Sequence, residues 1–207
     1  MASVRADQQV TVSQCPPGRI ILLNGASGSG KTSIAEQLLL VLDGPWFHLP
    51  VDAINAMRSR QRTLGLSPED LELVLARTRA GFHRAVAGMA AAGNNVIADH
   101  VLSERWRLLD CLAVFAAFDV VFVGVRCAPA ELARRERLRG DREPGLALAQ
   151  HERVHAHGRY DLECDTSHAS PLDCALSIKA FLACARDRNE PRAFDELRAA
   201  EGWTTGR

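Results

Sequence analysis

The chain has 207 residues, of which 47% are apolar, so it can form one domain of ordinary size around a hydrophobic core. Lys plus Arg and Asp plus Glu number 25 each, and this balance favours a small molecule over nucleic acid or a membrane surface as the partner. Because no apolar segment reaches the roughly 18 residues of a membrane span, and residues 1–18 lack the apolar core of a signal peptide, we expect a cytoplasmic protein, either a monomer or the protomer of a small homo-oligomer.

Short apolar runs alternate along the chain with longer amphipathic segments, which is the pattern of a parallel sheet covered by helices. The predicted strands span residues 19–24, 46–51, 95–99, 120–126 and 160–165. The predicted helices span residues 31–42, 53–61, 68–92, 104–116, 129–138, 146–157 and 171–186. Five parallel strands joined by right-handed crossovers indicate an α/β protein in which the sheet lies between two layers of helices.

The pattern G-x-x-x-x-G-K-[ST], typical of a phosphate-binding loop or P-loop, follows directly on the first predicted strand. A helix pattern comes next, so the loop places free backbone N–H groups at a helix N-terminus, where anions bind. Lys31 is expected to bridge the β- and γ-phosphate oxygens of ATP, and the Thr32 hydroxyl to ligate Mg²⁺. The loop therefore predicts ATP as the cofactor and a P-loop nucleotide-kinase-like three-layer fold. The residues predicted to hold the nucleotide are Gly25, Ala26, Ser27, Gly28, Ser29, Gly30, Lys31 and Thr32.

Two aspartates lie where predicted strands end: Asp52 directly follows the second strand, and Asp99 is the last residue of the third. Ligands on an open parallel sheet bind outside the carboxyl ends of its strands, so both carboxylates should face the cleft above the P-loop. We expect Asp52 to accept the proton of an acceptor hydroxyl, and Asp99 to hold Mg²⁺ directly or through water. The two roles could be exchanged, and either aspartate could instead cap a helix.

Five arginines lie within residues 134–142, at the end of a predicted helix and before the breakers of residues 143–145. This arrangement predicts a lid, around residues 134–146, that supplies guanidinium groups to the transferring phosphoryl group. Arg135 and Arg139 are four residues apart and share one helix face, which makes them the candidate catalytic and nucleotide-binding arginines. The alternative is a solvated charged helix that pairs with Glu131 and Glu136.

The two ends of the chain differ from its centre. Residues 1–17 are expected to form a disordered leader, residues 18–186 the kinase domain, and residues 187–207 a C-terminal tail. A short tail helix could dock on the protein's own core or on a partner subunit, with its own core favoured. Its apolar residues are Phe194, Leu197 and Trp203.

Beyond the P-loop, three further motifs occur in order: G-V-R-C at 124–127, R-G-D-R at 139–142, and Y-D-x-x-x-D-T at 160–166. With Val51-Asp52 and Val96-Ile97-Ala98-Asp99, they make the sequence from about residue 19 to residue 181 resemble the chloramphenicol phosphotransferase family. The resemblance implies ATP-dependent phosphorylation of a small-molecule hydroxyl, in that family the 3-hydroxyl of chloramphenicol, which confers resistance. It also implies that Asp52 is the proton acceptor and that Arg135 and Arg139 contact phosphate.

Two departures from the family concern the acceptor side. His100 stands where the family tends to have a second acidic residue, and residues 58–75 match poorly. His100 and His155 could line the acceptor pocket, although ordinary hydrogen-bonded histidines are favoured. A different hydroxylated antibiotic or metabolite therefore remains open as the acceptor.

Two other functions compete with a small-molecule phosphotransferase. A kinase of a nucleotide-sugar, as in the zeta-type toxins, also pairs a P-loop with an aspartate after the second strand. A nucleotide-dependent regulator without a second substrate would need an N-K-x-D element or a switch-like D-x-x-G, and neither is in the sequence.

Overall fold

The computed structural model describes residues 15–139, 145–184 and 191–203. All strand pairs in its sheet are parallel, and the strand order is β2-β3-β1-β4-β5. The strands are β1 (Ile20–Asn24), β2 (Trp46–Pro50), β3 (Asn95–His100), β4 (Val120–Arg126) and β5 (Leu162–Asp165). The predicted α/β fold with a five-stranded parallel sheet is confirmed.

Nine α-helices and one 3₁₀ turn connect or flank these strands within the described residues. The helices are α1 (Lys31–Val41), α2 (Val51–Ala56), α3 (Arg60–Leu64), α4 (Pro68–Ala91), α5 (Arg105–Val114), α6 (Pro129–Arg139), α7 (Leu146–His151), α8 (Pro171–Cys184) and α9 (Ala193–Ala200). The 3₁₀ turn spans Arg153–His155. None of the helices among these residues is both long and apolar enough to cross a lipid bilayer.

The hydrophobic core lies on both faces of the sheet, and the central strand β1 is buried on both sides. All five residues of β1 are buried, and alternate side chains enter opposite clusters, as the two-residue period of a strand requires. Helices α4, α5 and α9 supply one cluster, whereas α1 and α8 supply the other. This packing leaves the carboxyl ends of the strands open to hold a site.

Three predicted boundaries differ from the structure. The helix expected at 53–61 is interrupted between α2 and α3, and the one expected at 146–157 ends at α7 and continues only as the 3₁₀ turn. Strand β5 begins at Leu162, two residues later than expected. Asp161 before it still pairs with β4, since its amide donates to the Phe122 carbonyl at 2.9 Å and its carboxylate accepts from the Phe122 amide at 2.7 Å.

The tail helix α9 packs on the protein's own core. Phe194 and Leu197 are buried in the same cluster as α4 and α5, and the Ala193 amide donates to Asp161 at 2.9 Å. Residues 1–14, 140–144, 185–190 and 204–207 lie outside the described residues, so most of the expected leader and the centre of the expected lid do as well.

Candidate active site

The P-loop joins the end of β1 to the start of α1, and its glycines have conformations that few other residues adopt. Gly28 and Gly30 have φ of 79° and 94°, in the left-handed region, and Gly30 is the N-cap of α1. A Cβ on Gly25 would lie 2.4 Å from the Val125 carbonyl oxygen. The loop can therefore lie against β4 only with glycine at position 25.

Lys31 is largely buried within the loop. Its Nζ donates hydrogen bonds to the carbonyl oxygens of Gly25 at 2.9 Å and Ala26 at 2.8 Å. These bonds keep the ammonium group beside the backbone amides that would bind a phosphate. Lys31 thus lies where the sequence predicts it.

Thr32 and Asp99 meet across two neighbouring elements. In the sheet register Asp99 of β3 stands opposite Leu23 of β1, next to the P-loop, and its Oδ2 accepts from Thr32 Oγ1 at 3.0 Å. His48 Nε2 lies 3.1 Å from the same oxygen. A hydroxyl and a carboxylate held together are the oxygen ligands that Mg²⁺ prefers when it binds nucleotide phosphates, so the pair fits the predicted metal site.

One cavity of about 470 Å³ opens beside these residues, a volume within the range of small-molecule sites. The P-loop and Asp99 line one side of it, and α2, α4, α5 and α7 contribute the other walls. Its lining residues outside the P-loop are Ser33, Val51, Asp52, Asn55, Arg79, Asp99, His100, Val101, Arg107 and Gln150. The part of this cavity that Asp52, Asn55, Arg79, His100 and Arg107 line is called the second compartment, and it is continuous with the predicted phosphate site.

Asp52 lies in the first turn of α2 and lines this cavity. The N-cap of α2 is Pro50, and Asp99 lies inside β3, so neither aspartate is a helix cap. The fold brings the two carboxylates to one cavity, as the sequence predicts, with Asp99 buried beside the P-loop and Asp52 exposed on the opposite wall.

Arg135 contacts the P-loop from outside the cavity lining. Its guanidinium donates to the Gly28 carbonyl at 3.2 Å and to the Thr166 carbonyl at 2.8 Å, and Glu131 accepts from its Nε at 2.7 Å. Thr166 Oγ1 in turn donates to the Ser29 carbonyl at 2.8 Å. Arg135 thus ties the P-loop to the segment after β5, and contact with phosphate stays a prediction.

The rest of the predicted lid is only partly described. Arg134 pairs with Glu131 on the surface, and hydrogen bonds from Arg134 and Arg135 lower the pKa of Glu131 to about 2. The Arg139 side chain and residues 140–144 lie outside the described part of the chain. The catalytic role of Arg139 therefore stays a prediction too.

Two arginines of the cavity wall were not predicted from the sequence. Arg107 is buried and donates to the Val101 carbonyl at 3.0 Å, and burial together with Arg79 lowers its pKa to about 10, against the opposite effect of Glu104. The Arg79 side chain forms no hydrogen bond with another described residue, and burial lowers its pKa as well. Both remain cationic at neutral pH and add positive charge to the second compartment.

The motif residues in β4 and before β5 have packing roles. A Cβ on Gly124 would lie 2.7 Å from the ring of Tyr160, so the glycine of G-V-R-C makes room for the tyrosine of Y-D. The Tyr160 hydroxyl accepts from Asn24 Nδ2 at 2.8 Å, beside the P-loop. These motifs are linked because one packs on the other.

A five-stranded parallel sheet with a P-loop after β1, a threonine-carboxylate pair and an adjoining cavity defines a P-loop kinase-like α/β fold. The chain belongs to the chloramphenicol phosphotransferase-like protein family, whose model matches residues 18–183. Two proteins of Mycobacterium tuberculosis, from strains CDC 1551 and H37Rv, are each 33% identical over 204 residues, covering 88% of this chain and 89% of the relative. Their names give O-phosphotransferase as a provisional assignment. Phosphotransferase chemistry follows from the family.

Solved structures, kinases among them, share the fold at low sequence identity. The M. tuberculosis APS kinase, in complex with AMPPNP and APS, has a TM-score of 0.63 at 19% identity, covering 81% of this chain and 99% of that one. Shikimate kinase from Acinetobacter baumannii, in complex with shikimate, has a TM-score of 0.59 at 13% identity, with coverage of 85% and 97%. The tunicamycin resistance protein of Deinococcus radiodurans has a TM-score of 0.59 at 19% identity, with coverage of 80% and 96%. The P-loop kinase fold predicted from the sequence is thereby confirmed.

Proposed function

We propose that the chain transfers the γ-phosphoryl group of ATP to a hydroxyl of a small molecule. The observation that carries this proposal is that one cavity is lined both by Lys31 and Thr32 of the P-loop and by Asp52. A nucleotide held by the loop would direct its γ-phosphate into the compartment where an acceptor can bind. The family membership supports the same chemistry.

The residues divide the work of an in-line displacement. The oxygen of the acceptor hydroxyl forms a bond to the γ-phosphorus while the Asp52 carboxylate accepts the proton of that hydroxyl. The bond between the γ-phosphorus and the β–γ bridging oxygen breaks, which releases ADP. Lys31 and the P-loop amides stabilise the charge on the phosphate oxygens. Mg²⁺, held by Thr32 and Asp99, would neutralise charge shared by the β- and γ-phosphates. Arg135 and Arg139 are the proposed lid arginines that add positive charge during transfer.

Chloramphenicol, through its 3-hydroxyl, is the first acceptor to test, because the family is named for that activity. A second candidate is an anionic metabolite such as a nucleotide-sugar. Arg79 and Arg107 favour it, since guanidinium groups in a partly buried wall pair well with phosphate or carboxylate. The two candidates share the reaction and differ in what the second compartment binds.

The test is phosphate transfer from γ-labelled ATP and Mg²⁺ to a panel of hydroxylated antibiotics, nucleotide-sugars, nucleosides and hydroxy acids, followed by mass spectrometry. We expect one class to gain a phosphoryl group, and Lys31→Ala protein to serve as the inactive control. Transfer to chloramphenicol would identify the antibiotic activity, and transfer to an anionic compound the second candidate. ATP binding without transfer to any compound would refute the proposal and favour a nucleotide-binding regulator.

A further inference from the structure

Three side chains from different elements form a hydrogen-bonded row behind the cavity wall. The Nδ1 atom of His83 in α4 lies 2.6 Å from Asp110 Oδ2 in α5, and its Nε2 lies 3.0 Å from Nε2 of His100 in β3. His83 is 0% exposed and His100 1% exposed, while His100 also lines the cavity. The row therefore runs from the protein surface to the second compartment.

The hydrogen bonds, together with the burial that lowers the pKa of His83, determine which ring nitrogens carry protons. Partial burial acts in the opposite direction, but hydrogen bonds from Arg84 and His83 lower the pKa of Asp110, so this carboxylate is ionised and can only accept. Nδ1 of His83 must then be the donor. Burial lowers the pKa of His83, so its neutral ring leaves Nε2 as an acceptor for Nε2–H of His100.

This arrangement leaves Nδ1 of His100 with a lone pair. The atom is buried and has no hydrogen-bond partner among the described residues. A buried acceptor without a partner is costly, so most such atoms are paired in the functional state of a protein. His100 lines the same cavity as its neighbours Asp99 and Val101, so the residue that carries this nitrogen lies in the wall of the second compartment. Because the atom itself is buried, a bound molecule would supply the missing donor only by shifting the side chains that cover it.

We propose that Nδ1 of His100 accepts a hydrogen bond from an O–H or N–H group of the acceptor substrate, and that His83 and Asp110 are positioning residues that keep this nitrogen unprotonated. The inference rests on the proposed function, because it assumes that the second compartment binds the acceptor. No proton is transferred to His100 in this role. The site therefore selects acceptors that carry a donor group reaching the wall beside Asp99, in addition to binding at Asp52.

Two substitutions of His100 separate this role from simple packing. In His100→Gln the amide can still donate to His83, but it places no acceptor at the position of Nδ1. In His100→Asn the amide oxygen can occupy that position. For the panel compound that the wild-type protein phosphorylates, we expect His100→Gln to raise the KM of the acceptor about tenfold to a hundredfold, with the KM of ATP unchanged. His100→Asn should recover part of the loss, and an unchanged acceptor KM in His100→Gln would overturn the proposal.

The tautomers can be measured without any acceptor. Long-range ¹H–¹⁵N correlation spectra of uniformly labelled protein should show His83 protonated at Nδ1 and His100 at Nε2. Asp110→Leu should redistribute the proton between the His100 nitrogens, whereas Arg84→Leu, which removes only the exposed partner of Asp110, should leave the tautomers as they are. A proton on Nδ1 of His100 in the wild-type protein would refute the inference.

The two measurements distinguish failure of this inference from failure of the proposed function. If the wild-type protein phosphorylates nothing in the panel, the proposed function fails, and the tautomers still decide whether His100 presents a lone pair. If transfer occurs but His100→Gln behaves like the wild-type protein, the reaction stands and the role of His100 falls.

Discussion

The two cavity aspartates can be told apart by replacing each with asparagine. Asp99 is buried, and its Oδ2 accepts from Thr32 at 3.0 Å and lies 3.1 Å from His48 Nε2. Asparagine keeps the shape but removes the negative charge and replaces one oxygen by an N–H donor. We therefore expect Asp99→Asn to weaken binding of Mg²⁺·ATP while binding of ATP without metal changes little.

The expected size follows from the bonds that the carboxylate makes. Hydrogen bonds to a charged group contribute about 1.5–3 kcal/mol each. Loss of the charge at one such contact corresponds to about a tenfold to hundredfold weaker Mg²⁺·ATP complex. Asp52→Asn should show the opposite pattern, with unchanged Mg²⁺·ATP affinity and turnover lowered about a hundredfold or more, because it removes the proposed proton acceptor.

The assay is calorimetric titration of each variant with the β,γ-imido analogue of ATP, with and without saturating Mg²⁺. Turnover is measured in parallel as a function of Mg²⁺ concentration. If the Mg²⁺ effect on binding is the same in Asp99→Asn and in the wild-type protein, Asp99 does not hold the metal. If the effect is lost in Asp52→Asn instead, the two roles are exchanged.

Three further outcomes follow from named contacts. Lys31→Ala should lower turnover at least about a hundredfold, because it removes the buried ammonium of the P-loop, and full activity would contradict the phosphate site. Arg79→Ala should raise the KM of an anionic acceptor about tenfold or more, against the matched control Arg77→Ala outside the cavity; an equal rise in the KM of ATP would place Arg79 at the nucleotide. Burial lowers the pKa of His155 and His157 to about 4. Below about pH 6.5 the unfolded chain therefore binds more protons than the folded chain, so the free energy of unfolding decreases as the pH is lowered. At pH 5 the loss should be about 2 kcal/mol after allowance for partial exposure, or roughly 5 °C in Tm. A calorimetric Tm that does not change between pH 7 and pH 5 would refute this expectation.

The sequence predicts the sheet and the nucleotide end of the site well because both depend on local patterns. Strand β1 is apolar throughout and is followed at once by glycines, lysine and threonine in fixed spacing. Parallel strands bring their carboxyl ends to one edge, so the meeting of Thr32 with Asp99 follows from topology alone.

The acceptor end is harder to predict because it depends on the rotation of the long helices about their own axes, which decides which side chains face the cavity. Helix α4 carries Arg77, Arg79 and Arg84, and only the packed structure shows that Arg79 reaches the cavity. Arg135 presents the same difficulty, since its bonds to the carbonyls of Gly28 and Thr166 involve backbone groups that leave no trace in the sequence. Side-chain pairs between a helix and a strand, such as His83 with His100, likewise join distant positions, here 17 residues apart, without a periodic signal.

Helix α9 lies beyond residue 183, where the family match ends, yet its Phe194 ring is packed between Phe115 and Phe122 of the central core. A protein shortened to the matched residues would leave those two rings facing water and would lose the Ala193 amide that Asp161 accepts. The minimal unit for expression and crystallisation of this chain is therefore larger, by one terminal helix, than the segment that the family model matches.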